Sequence, residues 1–409
     1  MKHYSIFRTA RMVLPLLLGG ISFQLSAQPY ANPELSPVYA DSVPASLPDT
    51  AQTSRRRTGF VKKLVNYFRE SNKQRPEKRV DFGVLPGPHY SATTGLGLGI
   101  LGTATYSTDR ADPNLPRSNA SVYTDMTTGG FFLVGLRGNH IFPHERYRLD
   151  YKLNLSTFTT SFWGIGYAMA DNDENQTDYR RNRMNALVRF MANVAPNTYV
   201  GPVLNYRFFQ ARGVKEADKH LWMGQDLTLS AYTAGLSFTY DSRDFMLNAS
   251  KGMFLQVDQT FTPRFLGNGS YAFSTTEVTL SGYQRVWKGG ILAGELHGLF
   301  NYGNTPWPLL SEVGSNERMR GYYEGRYRDQ DLIEGQVELR QHIKGRSGVV
   351  VWAALANCFS GFEHIAMRHT LPNVGFGYRW EFKKGINVRV DYGFTRKGGG
   401  FIFSINEAF

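Results

Sequence analysis

From Asp81 onward the chain alternates apolar and polar residues with a period of two. Ile386, Val388, Val390, Tyr392 and Phe394 interleave with Asn387, Arg389, Asp391, Gly393 and Thr395. Val374, Phe376, Tyr378, Trp380 and Phe382 interleave with Asn373, Gly375, Gly377, Arg379 and Glu381, and Tyr147 to Leu155 and Leu236 to Asp241 repeat the pattern. In a strand this period puts one set on each face. Each segment therefore has an apolar face and a charged one, and the apolar positions end in Tyr and Trp near the strand termini, like an interfacial girdle. A β-barrel with lipid outside and a polar lumen accounts for both faces, and closure satisfies every backbone group in lipid. At about 10 residues per tilted strand and a similar length per connection, residues 82–409 hold roughly 16 strands. Turn signals at Ala195-Pro196-Asn197, Gly267-Asn268-Gly269 and Lys288-Gly289-Gly290 fall between the candidates. The expected fold is an all-β, transmembrane, antiparallel barrel.

The beginning of the chain reads differently. Lys2, His3, Arg8 and Arg11 precede an apolar run from Met12 to Leu25, and Leu25-Ser26-Ala27 supplies small residues for cleavage. Residues 1–27 are thus read as a signal peptide, the run being too short to span a bilayer comfortably. Residues 28–57 carry Pro29, Pro33, Pro37, Pro44 and Pro48 and read as a disordered linker. In 58–80, Phe60, Val61, Leu64, Val65 and Phe68 share one helical face opposite Lys62, Lys63, Asn66 and Arg69. This basic amphipathic segment suits an anionic membrane surface, a pore, a periplasmic partner docking on 55–79, or equally a solvated helix within the linker.

The net charge of +12 is concentrated there. Arg55 to Arg79 holds ten Lys and Arg against Glu70 and Glu77, and the rest of the mature chain is nearly balanced, which argues against a nucleic-acid partner. No apolar run of 18 residues follows residue 27. With 23 Tyr, 28 Phe and 42 Gly, an exported all-β protein fits the composition. One cysteine, Cys358, excludes an intramolecular disulfide framework.

Glu317 to Arg328 reads ERMRGYYEGRYR, a long polar loop containing Arg320-Gly321-Tyr322. The next strand puts Glu334, Gln336, Glu338 and Arg340 on one face. A loop guanidinium beside inward carboxylates suggests a loop folded into the barrel and pinned by charge-assisted hydrogen bonds.

Four blocks carry a family resemblance: DFGVLPGPHYSATTGLGLG from Asp81, FTYDSRDFMLNASKGMF from Phe238, the RGYYEGRYRD loop, and VRVDYGFTRKGGGFIFSINEAF at the end. Over about Asp81–Phe409 the chain resembles the BamA/TamA family of outer-membrane proteins, also called the bacterial surface antigen family. The resemblance implies a 16-stranded barrel whose sixth extracellular loop is tucked into the lumen. It makes Arg320, Gly321 and Tyr322 the loop motif and Glu338 the carboxylate that receives Arg320. Tyr240, Asp241, Arg243 and Asp244 become a strand-end motif. It also implies a weakly paired seam between the first and last strands, where an incoming strand adds or a polypeptide passes. That seam is expected between the strand starting near Tyr90, with Gly97 and Gly99, and the terminal segment, with Phe403 and Phe409; Gly95, Gly97, Gly99 and Gly102 weaken its packing. The implied partners are outer-membrane lipid and unfolded outer-membrane or secreted polypeptides.

Two departures stand out. Ala354 falls where the family often has an Asp, so a second anchor for Arg320 is expected to be missing. The 53 residues from 28 to 80 are Pro-rich and basic and do not resemble the family's substrate-capturing periplasmic domains. Enzyme chemistry finds little support. Gly97 to Gly102 matches G-x-G-x-x-G inside a strand with no helix after it, and no G-x-S-x-G or metal-ligand spacing occurs. No catalytic residue, metal or cofactor is expected. His297 beside Glu295 reads as lumen lining. The alternative to an assembly or translocation barrel is a passive pore or structural barrel.

Overall fold

The computed structural model describes residues 80–409 apart from 92–94, 110, 113–114 and 384. The signal peptide, the linker, the amphipathic segment up to residue 79 and the docking site at 55–79 lie outside the described residues.

One antiparallel sheet of 16 strands follows chain order. It comprises β1 (Val80–Ser91), β2 (Gly95–Tyr106), β3 (Ser118–Thr127), β4 (Phe132–Ile141), β5 (Tyr147–Phe162), β6 (Thr177–Ala195), β7 (Thr198–Arg212) and β8 (Thr228–Asp241). The second half comprises β9 (Gly252–Thr262), β10 (Phe273–Trp287), β11 (Gly290–Gly303), β14 (Asp331–Lys344), β15 (Ser347–Phe359), β16 (Leu371–Lys383), β17 (Ile386–Thr395) and β18 (Gly398–Ile405). The two short strands β12 (Ser311–Glu312) and β13 (Arg328–Asp329) pair with each other inside the loop between β11 and β14.

Period two sorts the side chains as the sequence dictates. On β14, Glu334, Gln336, Glu338 and Arg340 are buried while Ile333 and Val337 are exposed. On β17, Asn387, Arg389 and Asp391 are buried while Val390 and Phe394 are exposed. Leu204, Leu236, Leu296, Leu355 and Phe376 continue an outer apolar belt. Each would forgo about 1.5–3 kcal/mol if left in water, which fixes this face against lipid. An apolar outer face around a polar interior is the arrangement of a membrane-spanning β-barrel.

Short turns cluster at one end. Residues 196–197 join β6 to β7 with Asn197 at φ 60°, and residues 288–289 join β10 to β11 with Gly289 at φ 77°. The three longest connections, 163–176, 213–227 and 304–330, lie at the other end, which is the outside of the cell in a barrel of this kind. Counting along the chain, residues 304–330 form the sixth extracellular loop. Near that end Phe162, Tyr179, Phe209, Trp222 and Trp307 pack into one cluster, with Phe162 and Trp222 stacked at 4.6 Å.

The first strand differs from expectation. The sheet begins at Val80, and the glycine-rich segment from Gly95 is β2, paired with β1 on one side and β3 on the other. Gly97 is opposite His89 and Thr127, so Gly97 and Gly99 are not seam residues. Pro86 and Pro88 disguised β1, because each lacks the N–H of a central strand. At the end of a ladder that deficit is tolerated.

Candidate functional site

The loop of residues 304–330 enters the lumen and delivers Arg320 to a fully buried position. Its Nη2 donates to Glu338 Oε2 at 2.7 Å and to Gln336 Oε1 at 3.4 Å, both on β14. Its Nη1 donates to Asp391 Oδ2 on β17 at 3.0 Å. The guanidinium also lies over Trp352 on β15, 3.7 Å from the ring centroid. Asn373 on β16 links these groups, accepting from Trp352 Nε1 at 2.9 Å and donating to the Arg320 carbonyl at 2.7 Å. One loop residue thus bridges four consecutive strands.

The expected loss of a second anchor is overturned, since Asp391 supplies it. Ala354 instead belongs to the apolar seat of the loop, packing with Met319, Tyr322 and Tyr327. A carboxylate there would face these side chains at a desolvation cost.

Gly321 answers a steric demand. It sits at φ 101°, and a Cβ would lie 2.5 Å from the Gly393 carbonyl oxygen on β17. A Cβ on Gly393 would lie 1.8 Å from the Arg320 oxygen, so two glycines bring loop and wall into backbone contact. Gly321→Val is expected to lift the loop from β17. Limited proteolysis should then cleave within 304–330 at a rate that leaves the wild type intact; equal protection would refute the fit. Tyr322 completes the motif, its hydroxyl donating to the Pro372 carbonyl at 2.8 Å.

Around this seat the lumen wall holds a buried charge cluster. Arg340 Nε donates to Glu338 Oε1 at 2.8 Å, and Arg379 Nε to Glu407 Oε2 at 2.7 Å. Arg389 Nη1 donates to Asp391 Oδ2 at 2.9 Å, and Arg379 also pairs with Asp391. A second group holds the base of the loop. Arg318 donates to Glu295 at 2.6 Å, while His297 lies 2.8 Å from Glu334 and 3.2 Å from Glu277.

The terminal residues turn inward. β18 ends at Ile405, Asn406 adopts φ 68°, and Glu407 meets Arg379 and Asn387. Phe409 lies against Tyr283 and under Arg340, whose Nη2 donates to the Phe409 oxygen at 2.9 Å. Phe409 is therefore a lumen contact rather than a seam residue. The positive φ at Asn406 breaks the alternation that suggested a continuous strand. Phe403 is at the seam, its ring 3.1 Å from a Cβ built on Gly87 of β1.

The strand-end motif organises the turn between β8 and β9. Arg243 grips Asp241 through two hydrogen bonds of 2.8 Å and covers the Phe254 ring at 4.3 Å. Asp244 accepts from the Ser250 N–H at 2.8 Å, and Tyr240 pairs opposite Leu255 and Thr198 in the ladder. Burial pushes the Asp244 carboxyl up, but hydrogen bonds from Ser250 and Lys251 outweigh it and hold it below the ordinary value. A depressed carboxyl stabilises the fold above its unfolded pKa, about 4, and loses that contribution as pH falls through the folded one. Wild type should therefore melt above Asp244→Asn at pH 7, with the two converging below about pH 4. A pH-independent gap would remove the charge from the explanation.

Between the loop and the walls of β1–β5 and β18 lies a lumen cavity of about 790 Å³.

Sequence reasoning missed Trp352, Asn373 and Asp391 as loop contacts. The alternation had put Asn373 and Asp391 on the charged face of their strands. What it lacked was the closure that brings β17 toward the loop after β11.

An inserted loop pinned across four strands and an outer apolar belt define an outer-membrane barrel with a lumen-anchored extracellular loop. The Omp85 superfamily domain matches residues 123–396, and the chain belongs to that superfamily. Among solved structures it is similar to BamA from Haemophilus ducreyi lacking POTRA domains 1–3, with a TM-score of 0.52, 11% identity, and 80% of this chain and 70% of that one covered. It is also similar to CdiB from Acinetobacter baumannii, with a TM-score of 0.52, 12% identity, and 81% of this chain covered. CdiB from Escherichia coli gives a TM-score of 0.51 at 13% identity with 81% of this chain covered, and the match spans 60% of each CdiB chain. These likenesses concern the fold. A comparison with curated proteins finds no match.

Proposed function

We propose that the protein inserts or translocates polypeptides at the outer membrane, using the junction of β1 and β18 as an openable seam. The observation that carries this reading is the loop seat. Arg320 ties the loop to β14 and β17, and Gly321 presses it on Gly393, one strand away from β18. The anchored wall is thereby stiffened up to the strand next to the seam. On the other side, Pro86 and Pro88 withhold two backbone donors from β1. A sheet edge freed at this point would pair with an incoming strand.

Deleting the gene and quantifying the outer-membrane proteome tests the proposal. A broad fall in other barrels would indicate general assembly, and loss of one or a few surface proteins a dedicated exporter. An unchanged proteome would overturn it. The second reading, a passive pore or structural barrel, is favoured by the lumen cavity. A large, steady conductance that survives tethering of the loop would support it.

A further inference from the structure

The cavity beside the seam is not electrically neutral. Five cations line it, Arg137, Lys152, Arg181, Arg326 and Lys397, against the carboxylates Asp125 and Glu324. Three of the cations are already engaged: Arg181 with Glu324 at 3.4 Å, Lys397 with Asp173 at 3.2 Å, and Arg326 also with Asp173. Arg137 and Lys152 remain. They stand opposite each other in the β4–β5 ladder, on neighbouring strands of the same wall. Both are exposed within the cavity, and among the described residues neither forms an ion pair with a carboxylate. Arg137 has the Tyr123 ring 5.6 Å away, and Lys152 has Glu317 and Glu277 in its neighbourhood without pairing with either.

The opposite wall shows the complementary arrangement. Its carboxylates on β11, β14 and β17 take their guanidinium partners partly from the loop, through Arg318 and Arg320. The loop thus satisfies the acidic half of the lumen, whereas on the basic wall Arg137 and Lys152 are left without an ion pair among the described residues.

We propose that this chamber takes an acidic polypeptide segment, with side-chain carboxylates seated on Arg137 and Lys152. This rests on the reading that polypeptide engages the seam. Polypeptide is favoured over an acidic oligosaccharide because β1 and β18 contribute to the cavity wall, through Gly87 and Phe401–Ile405. An extended chain there reaches a sheet edge with its backbone while alternate side chains point into the basic lumen. The chamber therefore selects segments whose lumen-facing positions are Glu or Asp.

The test uses the full mature chain in lipid nanodiscs and fluorescent peptides about one tilted strand long, ~10 residues. One alternates Val with Glu and the other Val with Lys; a polyuronate oligosaccharide is the third probe. The Glu peptide is expected to bind at least ~10-fold more tightly than the Lys peptide, with the preference shrinking as salt rises. Arg137→Glu with Lys152→Glu should reverse the order, and Arg137→Gln with Lys152→Gln should abolish the preference if the charge-reversed pair does not fold. Equal binding of the two peptides, binding of neither, an unchanged preference in the variants, or binding of the polyuronate alone would overturn the proposal. The outcomes separate from those of the gene deletion. Acid preference with an unchanged proteome removes the translocation reading and keeps the chamber, whereas a changed proteome without acid preference removes only the chamber.

Discussion

Replacing Glu338 with Gln is expected to cost about 3–5 kcal/mol of stability, more than replacing Arg320 with Met. The charge count of the cluster decides the order. Arg320, Arg340, Arg379 and Arg389 face Glu338, Asp391 and Glu407, all of them buried. Glu338→Gln keeps the shape but leaves four guanidiniums on two carboxylates, with Arg320 and Arg340 both deprived of a partner. Arg320→Met nearly keeps the volume and leaves three of each sign, since Glu338 retains Arg340 and Asp391 retains Arg379 and Arg389. Its main effect is on the loop, which loses the side chain that crosses the lumen. The double variant restores the excess of one cation found in the wild type. It should be less destabilised than the sum of the single changes by about 0.5–3 kcal/mol. Denaturant midpoints in lipid, with proteolysis of the loop as a second readout, measure all three. A larger loss for Arg320→Met would show that the cluster is not held by charge balance.

The sequence carried much of this site because alternation is a strong signal wherever one face must meet lipid. Glu338 and Arg340 were legible as inward residues, and Arg320 as their loop partner. Asp391 also lay on a charged face, yet its contact with Arg320 joins residues 71 apart in the chain. Only the closure of the sheet brings β17 to the loop, and period two contains no information about closure. Ala354 misled for the same reason, because a missing carboxylate on β15 was read as a missing anchor. Phe409 misled because alternation persists in sequence through a residue that leaves the strand. The positive φ at Asn406 depends on the hydrogen bond from its N–H to the Asn387 carbonyl and on the partners waiting for Glu407.

A disulfide across the corrected seam is the sharpest test of mechanism. Gly87→Cys with Phe403→Cys, in a Cys358→Ala background, joins β1 to β18 where the Phe403 ring meets Gly87. A covalent link at this site holds the two strands within about 7 Å between Cα atoms and so prevents lateral opening. Under oxidising conditions the variant is expected to fail to restore the outer-membrane proteome of a deletion strain, and reductant is expected to restore it. Gly97→Cys with Thr127→Cys provides the control, since these residues are opposite each other in the β2–β3 ladder, away from the seam. That link should form and leave function intact. If the seam disulfide forms completely and the proteome still recovers, strand addition between β1 and β18 is not the working step. A polypeptide would then have to pass through the lumen, where the pinned loop is the obstacle, and releasing Arg320 rather than opening the seam would become the event to measure.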